Sequence, residues 1–145
     1  MNVSEEKKIL EFFCKNIPEA LFGPDRVHYI LENIDKLKEG ERLALRKFYN
    51  KLLTNMIEKE ASDIEIGGHG NVGYVWMRIY GNKERVKEIP QFSNDESALI
   101  IINLLNVNQR EQLAKKRNLD FSYTFLYERR NINVRFRSRA FKHRN

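Results

Sequence analysis

The chain is organised around residues 61–81, Ala-Ser-Asp-Ile-Glu-Ile-Gly-Gly-His-Gly-Asn-Val-Gly-Tyr-Val-Trp-Met-Arg-Ile-Tyr-Gly. This stretch contains a Gly-x-Gly-x-x-Gly motif beginning at Gly68, which binds dinucleotides when a strand precedes it and a helix begins at its third glycine. A short β-like segment does precede the glycines, but residues 74–80 are aromatic and β-branched and carry no helix cap. The pattern therefore predicts a β-hairpin over about 62–80, with Gly and Asn supplying the positive φ angles of its loop.

Helical periodicity and capping residues predict five helices around this hairpin. They cover about 4–16, 24–38, 41–60, 94–105 and 108–118. Three of them begin at a predicted N-cap: Ser4, Ser93 and Asn108. Further strands are predicted over 85–89, 119–127 and 131–141. The apolar segment 98–105 also fits a buried strand, and only its cap and its length favour a helix.

Composition limits the class of protein. The chain has 145 residues, of which 41% are hydrophobic and 11% aromatic, enough for one compact core. No apolar run approaches the ~20 residues of a membrane span. The single cysteine, Cys14, excludes an internal disulfide and indicates the reducing cytoplasm.

The net charge of +6 comes from the end of the chain. Residues 128–145 hold seven basic residues and one acidic residue, so the rest of the chain is balanced. Such a local basic segment indicates a surface for phosphates, nucleic acid or an acidic partner, or else a solvated terminus. Strand alternation places Arg135, Arg137 and Arg139 on the face opposite the apolar residues of the last predicted strand.

Motifs for catalysis and metal binding are missing from the sequence. The three histidines and Cys14 lack zinc-ligand spacing, and neither a Gly-x-Ser-x-Gly motif nor a Gly-x-x-x-x-Gly-Lys-Ser/Thr phosphate loop occurs. Cys14 falls on the apolar face of its predicted helix, and His69 is expected to be an exposed turn residue. No spacing pairs any two of the candidate carboxylates Asp63, Glu65, Asp120 and Glu128. We therefore predict no catalytic residue, metal or cofactor in this chain.

Arginines are the remaining candidates for function. Arg78 ends the hairpin and Arg110 begins a predicted helix, and the planar guanidinium fork suits bidentate contact with phosphate. Aromatic residues interleave with the cations: Tyr74, Trp76, Tyr80, Phe121, Tyr123 and Phe125. Together with the arginines of the last predicted strand, these aromatic residues would form the base-stacking surface of a nucleic-acid-binding module. The second interpretation is that the aromatic residues only pack the sheet. We favour the second interpretation.

Five short segments follow one another in an order that can be compared with known families. They are Ala61-Ser-Asp-Ile-Glu-Ile66, Arg78-Ile-Tyr-Gly81, Gln109-Arg110, Asp120-Phe-Ser-Tyr123, and Arg135-Phe-Arg137 leading to Phe141. In this order they resemble the N-terminal domain of the type II/IV secretion ATPase superfamily, and most closely the PilT-type ATPases that retract type IV pili. The resemblance covers about 43–145.

The resemblance implies a PAS-like α+β fold over 41–145, with a mostly antiparallel sheet and packed helices, preceded by a small helical extension over 1–40. It implies a non-catalytic domain in front of a RecA-like ATPase domain that holds ATP and Mg and assembles as a hexameric ring. The implied partners are that ATPase domain, neighbouring subunits and inner-membrane pilus or secretion platform proteins; nucleic acid is not among them. The implied location is the cytoplasm, peripheral to the inner membrane.

In that family, arginines of the N-terminal domain reach nucleotide held by the ATPase domain. Carried over to this chain, the resemblance implies phosphate contacts by Arg78, Arg110, Arg135 and Arg137. We also expect the strand of Arg135 to share a sheet with the hairpin.

This sequence departs from the family pattern at three places. Glu65 stands where the family has histidine, Tyr80 where it has aspartate, and Ser138-Arg139 where it has Val-Asn.

Overall fold

The computed structural model describes residues 1–68, 70–116 and 120–137, so His69 and the predicted strand residues beyond Arg137 lie outside the described residues. The elements are α1 (Ser4–Cys14), α2 (Pro24–Asn33), a 3₁₀ turn (Ile34–Lys36), α3 (Glu39–Glu58), β1 (Ala61–Glu65), β2 (Trp76–Ile79), β3 (Asn82–Arg85), α4 (Asn94–Ile102), α5 (Val107–Lys116), β4 (Asp120–Tyr127) and β5 (Arg130–Arg137). The predicted α+β class is confirmed.

The strands form two small antiparallel sheets within the described residues. The predicted hairpin is confirmed as β1 paired with β2, and β3 continues this first sheet. Strands β4 and β5 pair with each other as a second sheet. The expectation that the strand of Arg135 shares a sheet with the hairpin is therefore wrong.

The third strand begins earlier than predicted. Ile79 pairs with Asn82, so Tyr80 and Gly81 alone make the turn, with φ angles of 49° and 83°. Positive φ at both central residues is the type I′ geometry that matches the twist of a tight hairpin. The chain therefore re-enters the sheet at once, and Val86 and Ile89 are buried in the core after the strand has ended.

Helix α4 is buried along almost its whole length. Its buried residues are Glu96, Ser97, Ala98, Leu99, Ile100, Ile101 and Ile102. Helices α1, α2 and α3 contact it, and residues 1–40 share one hydrophobic core with the rest of the described chain. A helix that is apolar all round is stable in water only when neighbouring elements cover it in this way.

Two ion pairs attach the first two helices to the start of α4. Lys7 Nζ lies 2.7 Å from Glu96 Oε1, and Arg26 Nη2 lies 2.8 Å from Asp95 Oδ2. Glu96 also accepts a hydrogen bond from the backbone of Ser93, whose hydroxyl accepts from Glu96 N in return. This confirms the predicted capping box and satisfies the buried carboxylate of Glu96.

The other two predicted N-caps are wrong by one or two residues. Val3 occupies the cap position of α1, and Ser4 is the first helical residue. Helix α5 is capped by Asn106, whose side chain accepts from Gln109 N at 2.8 Å while Gln109 Oε1 accepts from Asn106 N at 3.0 Å. This reciprocal pair is a capping box that begins the helix two residues before the predicted cap.

Gly73 fixes the glycine loop against the segment that leads into α4. Its carbonyl accepts from Phe92 N at 2.8 Å, and a Cβ at Gly73 would lie 2.6 Å from Phe92 O. Gly70 also has positive φ, but a Cβ there would meet nothing within 4 Å. The loop therefore needs Gly73 for close backbone approach as well as for its φ angle.

We predict that Gly73→Ala destabilises the chain more than Gly70→Ala does. Both variants suffer strain from positive φ, roughly 1 kcal/mol, whereas Gly73→Ala adds an overpacking cost of roughly 1–3 kcal/mol. Urea unfolding of both variants and the wild type measures the difference. Equal losses in the free energy of unfolding would contradict the close contact with Phe92.

Candidate functional site

The outer face of the first sheet carries charges on all three strands. Strand alternation buries Met77 and turns Trp76 and Arg78 outward. In the sheet register, Arg78 lies between Asp63 on β1 and Lys83 on β3. The same face therefore collects acidic residues from β1 and basic residues from β2 and β3.

Glu65 is the centre of this charged face. Its carboxylate lies 3.6 Å from Arg78 Nη2 and 3.4 Å from Lys83 Nζ, and Asp63 lies 3.8 Å from Arg78 Nε. Lys83 also sits over the Trp76 ring, 5.1 Å from its centroid. Glu65, one of the departures from the family pattern, thus neutralises the cation that the resemblance assigns to phosphate contact.

Tyr80, a second departure, occupies the type I′ turn and is exposed. Its hydroxyl donates to Glu60 Oε2 at 3.0 Å, and this hydrogen bond raises the pKa of Tyr80. A phenol in this position links the turn to the connection between α3 and β1. It supplies none of the negative charge that the family aspartate would carry.

The aromatic residues of β4 face the core. Phe121, Tyr123 and Phe125 are all buried, and Phe121 stacks on Phe136 with ring centroids 5.0 Å apart. Phe136 also contacts Tyr49 of α3, so the second sheet packs on that helix. The interpretation that the aromatics pack the sheet is confirmed for Phe121, Tyr123 and Phe125, whereas Tyr80 is exposed.

Arg135 lies on the opposite, exposed face of β5. Its Nε and Nη2 donate to the two oxygens of Asp120 at 2.9 and 2.6 Å, and this bidentate pair raises the pKa of Arg135. The guanidinium is thus held in one orientation while 66% of its side chain remains exposed. Arg137 pairs with Asp120 in the backbone register of the same hairpin.

Arg110 lies in a different environment, between α5 and α3. Its Nη1 is 3.4 Å from Asp35 Oδ1, and Arg42 Nη1 is 3.3 Å from the same oxygen. Burial and the charge of Arg110 lower the pKa of Arg42. Arg46 is near enough to Arg42 to act on its pKa in the same direction, and its Nη2 donates to the carbonyl of Asn103.

Sequence reasoning missed Arg42 and Arg46. Their spacing of four residues on a predicted helix was the available signal, since it places both on one side of α3. Their proximity to Arg110 depends on how α3 packs against the α4–α5 connection, and no local pattern encodes that. This group therefore became visible only in the structure.

The four arginines that the resemblance singles out are distributed over three elements. Arg78 lies in β2, Arg110 in α5, and Arg135 and Arg137 in β5 of the second sheet. The three whose side chains are described each engage a different carboxylate or carboxylate pair. They form separate cationic positions rather than one binding pocket.

The described ranges contain neither a cluster of metal ligands nor a helix that could span a membrane. There, no three His, Cys, Asp or Glu side chains come close enough together to hold a metal ion. The helices of those same ranges are too short or too polar to cross a bilayer.

Comparison of the chain with models of known protein families, with curated proteins and with solved structures finds no match.

Cys14 is excluded as a nucleophile at neutral pH. Burial, followed by the negative charges of Asp95 and Glu96, raises the pKa of its thiol to about 12. The thiolate is the reactive form, so the folded chain holds this cysteine in its inert state.

We predict that a disulfide reagent such as DTNB modifies Cys14 much more slowly in the folded chain than in urea. The rate in the folded chain should keep rising above about pH 9, because the thiolate fraction is still increasing there. Stopped-flow labelling across pH measures both quantities. A folded-state rate that levels off below about pH 9 would contradict the raised pKa.

Proposed function

We propose that this chain is the non-catalytic N-terminal assembly and regulatory domain of a hexameric PilT/GspE-like motor ATPase that serves type IV pili or secretion. In this proposal, ATP and Mg are held by a RecA-like ATPase domain of the same polypeptide. The described domain contributes arginines to that nucleotide and contacts neighbouring subunits of the ring. The protein would work in the cytoplasm, at the inner-membrane platform of the pilus or secretion system.

The observation that carries the proposal is that the five family-like segments lie on five elements, β1, β2, α5, β4 and β5, in chain order. Ala61–Glu65 forms β1, Arg78 and Ile79 end β2, Gln109 and Arg110 lie in the first turn of α5, and Asp120 begins β4. The last segment, Arg135 to Arg137, ends β5. The five segments therefore keep the order of the family motifs, and each includes residues of a strand or a helix.

Arg135 has the physical properties that the proposed role requires. It is exposed, it lies on a paired strand, and Asp120 holds its guanidinium fork in place. A preorganised guanidinium aimed at phosphate oxygens stabilises the charge of the transition state, and it can act on nucleotide held by another domain. The neighbouring Arg137 ends the same strand.

The nucleic-acid-binding alternative has less support. It needs open aromatic rings beside the arginines, but the aromatic residues of β4 face the core. On the first sheet, Arg85 covers the Tyr74 ring at 4.3 Å and Lys83 lies over Trp76. The described residues thus offer no pair of uncovered stacking rings on one strand.

We predict that Arg135→Ala, in the polypeptide that carries the ATPase domain, lowers ATP turnover by roughly 100-fold. The variant loses a phosphate contact made in the transition state, while its exposed side chain contributes little to folding. Steady-state hydrolysis assays and thermal unfolding measure the two effects. Arg135→Lys should not restore turnover, because an ammonium cannot make the bidentate contact.

Arg130→Ala is the matched control, since Arg130 is an exposed arginine at the other end of β5. Its turnover should equal that of the wild type. Normal hydrolysis by Arg135→Ala would contradict the proposed contact, and an equal loss in both variants would show a general effect of charge.

A further inference from the structure

We propose that Arg42, Arg46 and Arg110, together called the arginine triad, form a binding site for the phosphate group of a small soluble ligand. This inference goes beyond the proposed function, because the site is built from this chain alone and needs no ATPase domain. Arg110 is also one of the residues that the resemblance assigns to phosphate contact, but Arg42 and Arg46 are not, and Arg135 lies on a different element, so the two proposals can fail separately.

The arginine triad lies on two helices, α3 and α5, and contacts the connection between α4 and α5. Arg42 and Arg46 lie four residues apart on α3, and Arg110 lies in α5. Asn103, which follows α4, touches both residues of α3. Arg42 therefore lies between the other two arginines, because it shares Asp35 with Arg110 and Asn103 with Arg46.

Asn103 fixes the geometry of the triad. It is completely buried; its Oδ1 accepts from Arg42 Nε at 3.0 Å, and its Nδ2 donates to Arg42 O at 2.9 Å. Its backbone carbonyl accepts from Arg46 Nη2 at 3.4 Å. A buried amide with these bonds holds the cations in place before any ligand binds, which lowers the ordering cost of binding.

The triad carries more positive charge than its neighbours neutralise. Among the ion pairs of the described residues, Asp35 is the one carboxylate that joins it, and 78% of the Asp35 side chain is exposed. Its contacts of 3.3 and 3.4 Å are longer than the 2.7–2.9 Å of strong charge-assisted hydrogen bonds. Asp35 is therefore a weak counter-ion that a stronger anion can replace.

The cations also remain under mutual repulsion. The pKa of Arg42 is lowered by burial and by the charges of Arg110 and Arg46, although Asp35 acts in the opposite direction. Within the described chain, Arg110 Nε is buried without a hydrogen-bond partner, because only Nη1 reaches Asp35. The unbalanced like charges are relieved by an anion that offers several oxygens.

A phosphate group fits these requirements better than a carboxylate does. It carries up to two negative charges, and its oxygens point in several directions, so it can accept from three guanidinium groups that approach from two helices. A carboxylate accepts hydrogen bonds mainly in one plane, and Asp35 already supplies one carboxylate to the triad. Free phosphate, pyrophosphate and a nucleotide share this chemistry.

The test is a calorimetric titration of the full chain with inorganic phosphate, pyrophosphate and ADP at low ionic strength. We expect Arg42→Gln, Arg46→Gln and Arg110→Gln each to weaken pyrophosphate binding at least about tenfold. Arg85→Gln and Arg130→Gln, at exposed arginines of β3 and β5, are the matched controls, and they should bind like the wild type. Equal affinity for pyrophosphate and ADP would show that the site contacts only the phosphate groups of the ligand. Tighter binding of ADP would show that the site also contacts the nucleoside.

Asp35→Asn gives a prediction of opposite sign. Removing the competing carboxylate should strengthen pyrophosphate binding, and pyrophosphate should raise the melting temperature of this variant more than that of the wild type. This variant keeps the test decisive even where an arginine variant fails to fold. The proposal is overturned by any of three results: no binding at millimolar pyrophosphate, equal losses in the triad and control variants, or weaker binding by Asp35→Asn.

Discussion

The burial of helix α4 is the constraint on which the rest of the structure depends. Its apolar residues point in every direction, so the helix must be covered by α1, α2 and α3. The acidic residues Asp95 and Glu96 at its start bind Arg26 and Lys7 of the first two helices. A buried carboxylate is costly without partners, so these pairs also determine where the helical extension can dock.

A second physical theme concerns the arginines. On each of three surfaces an arginine is held by carboxylates of this chain: Arg78 by Asp63 and Glu65, Arg110 by Asp35, and Arg135 by Asp120. The carboxylates orient the guanidinium groups. The distance between nitrogen and oxygen ranges from 2.6 Å for Arg135 and Asp120 to 3.8 Å for Arg78 and Asp63. The loose pair of Arg110 with Asp35 leaves the carboxylate replaceable by a phosphate, whereas the tight pair of Arg135 with Asp120 fixes the guanidinium in one orientation.

Local patterns predicted much of this fold. The hairpin followed from glycine and β-branched composition, the capping box at Ser93 from spacing, and the helix α3 from its apolar stripe. The position of β3 could not be predicted because a tyrosine, Tyr80, adopts the positive φ that usually marks Gly or Asn. The division into two sheets depends on long-range pairing, for which a single sequence gives no signal.

The candidate site was less predictable than the fold. Sequence reasoning selected Arg78, Arg110 and Arg135 for phosphate contact, but it gave no sign of their separate carboxylate partners. Arg42 was overlooked because its partners, Asp35 and Asn103, come from elsewhere in the chain, and Asn103 lies 61 residues away. Contacts at such separations arise from helix packing, which periodicity alone does not specify.

We propose that this chain precedes an ATPase domain in one polypeptide. Peptide mapping by mass spectrometry of the natural protein, purified with an antibody against the described domain, tests it most directly. The account predicts peptides C-terminal to Asn145 that contain a Gly-x-x-x-x-Gly-Lys-Ser/Thr phosphate loop. A natural polypeptide without such a loop would contradict it.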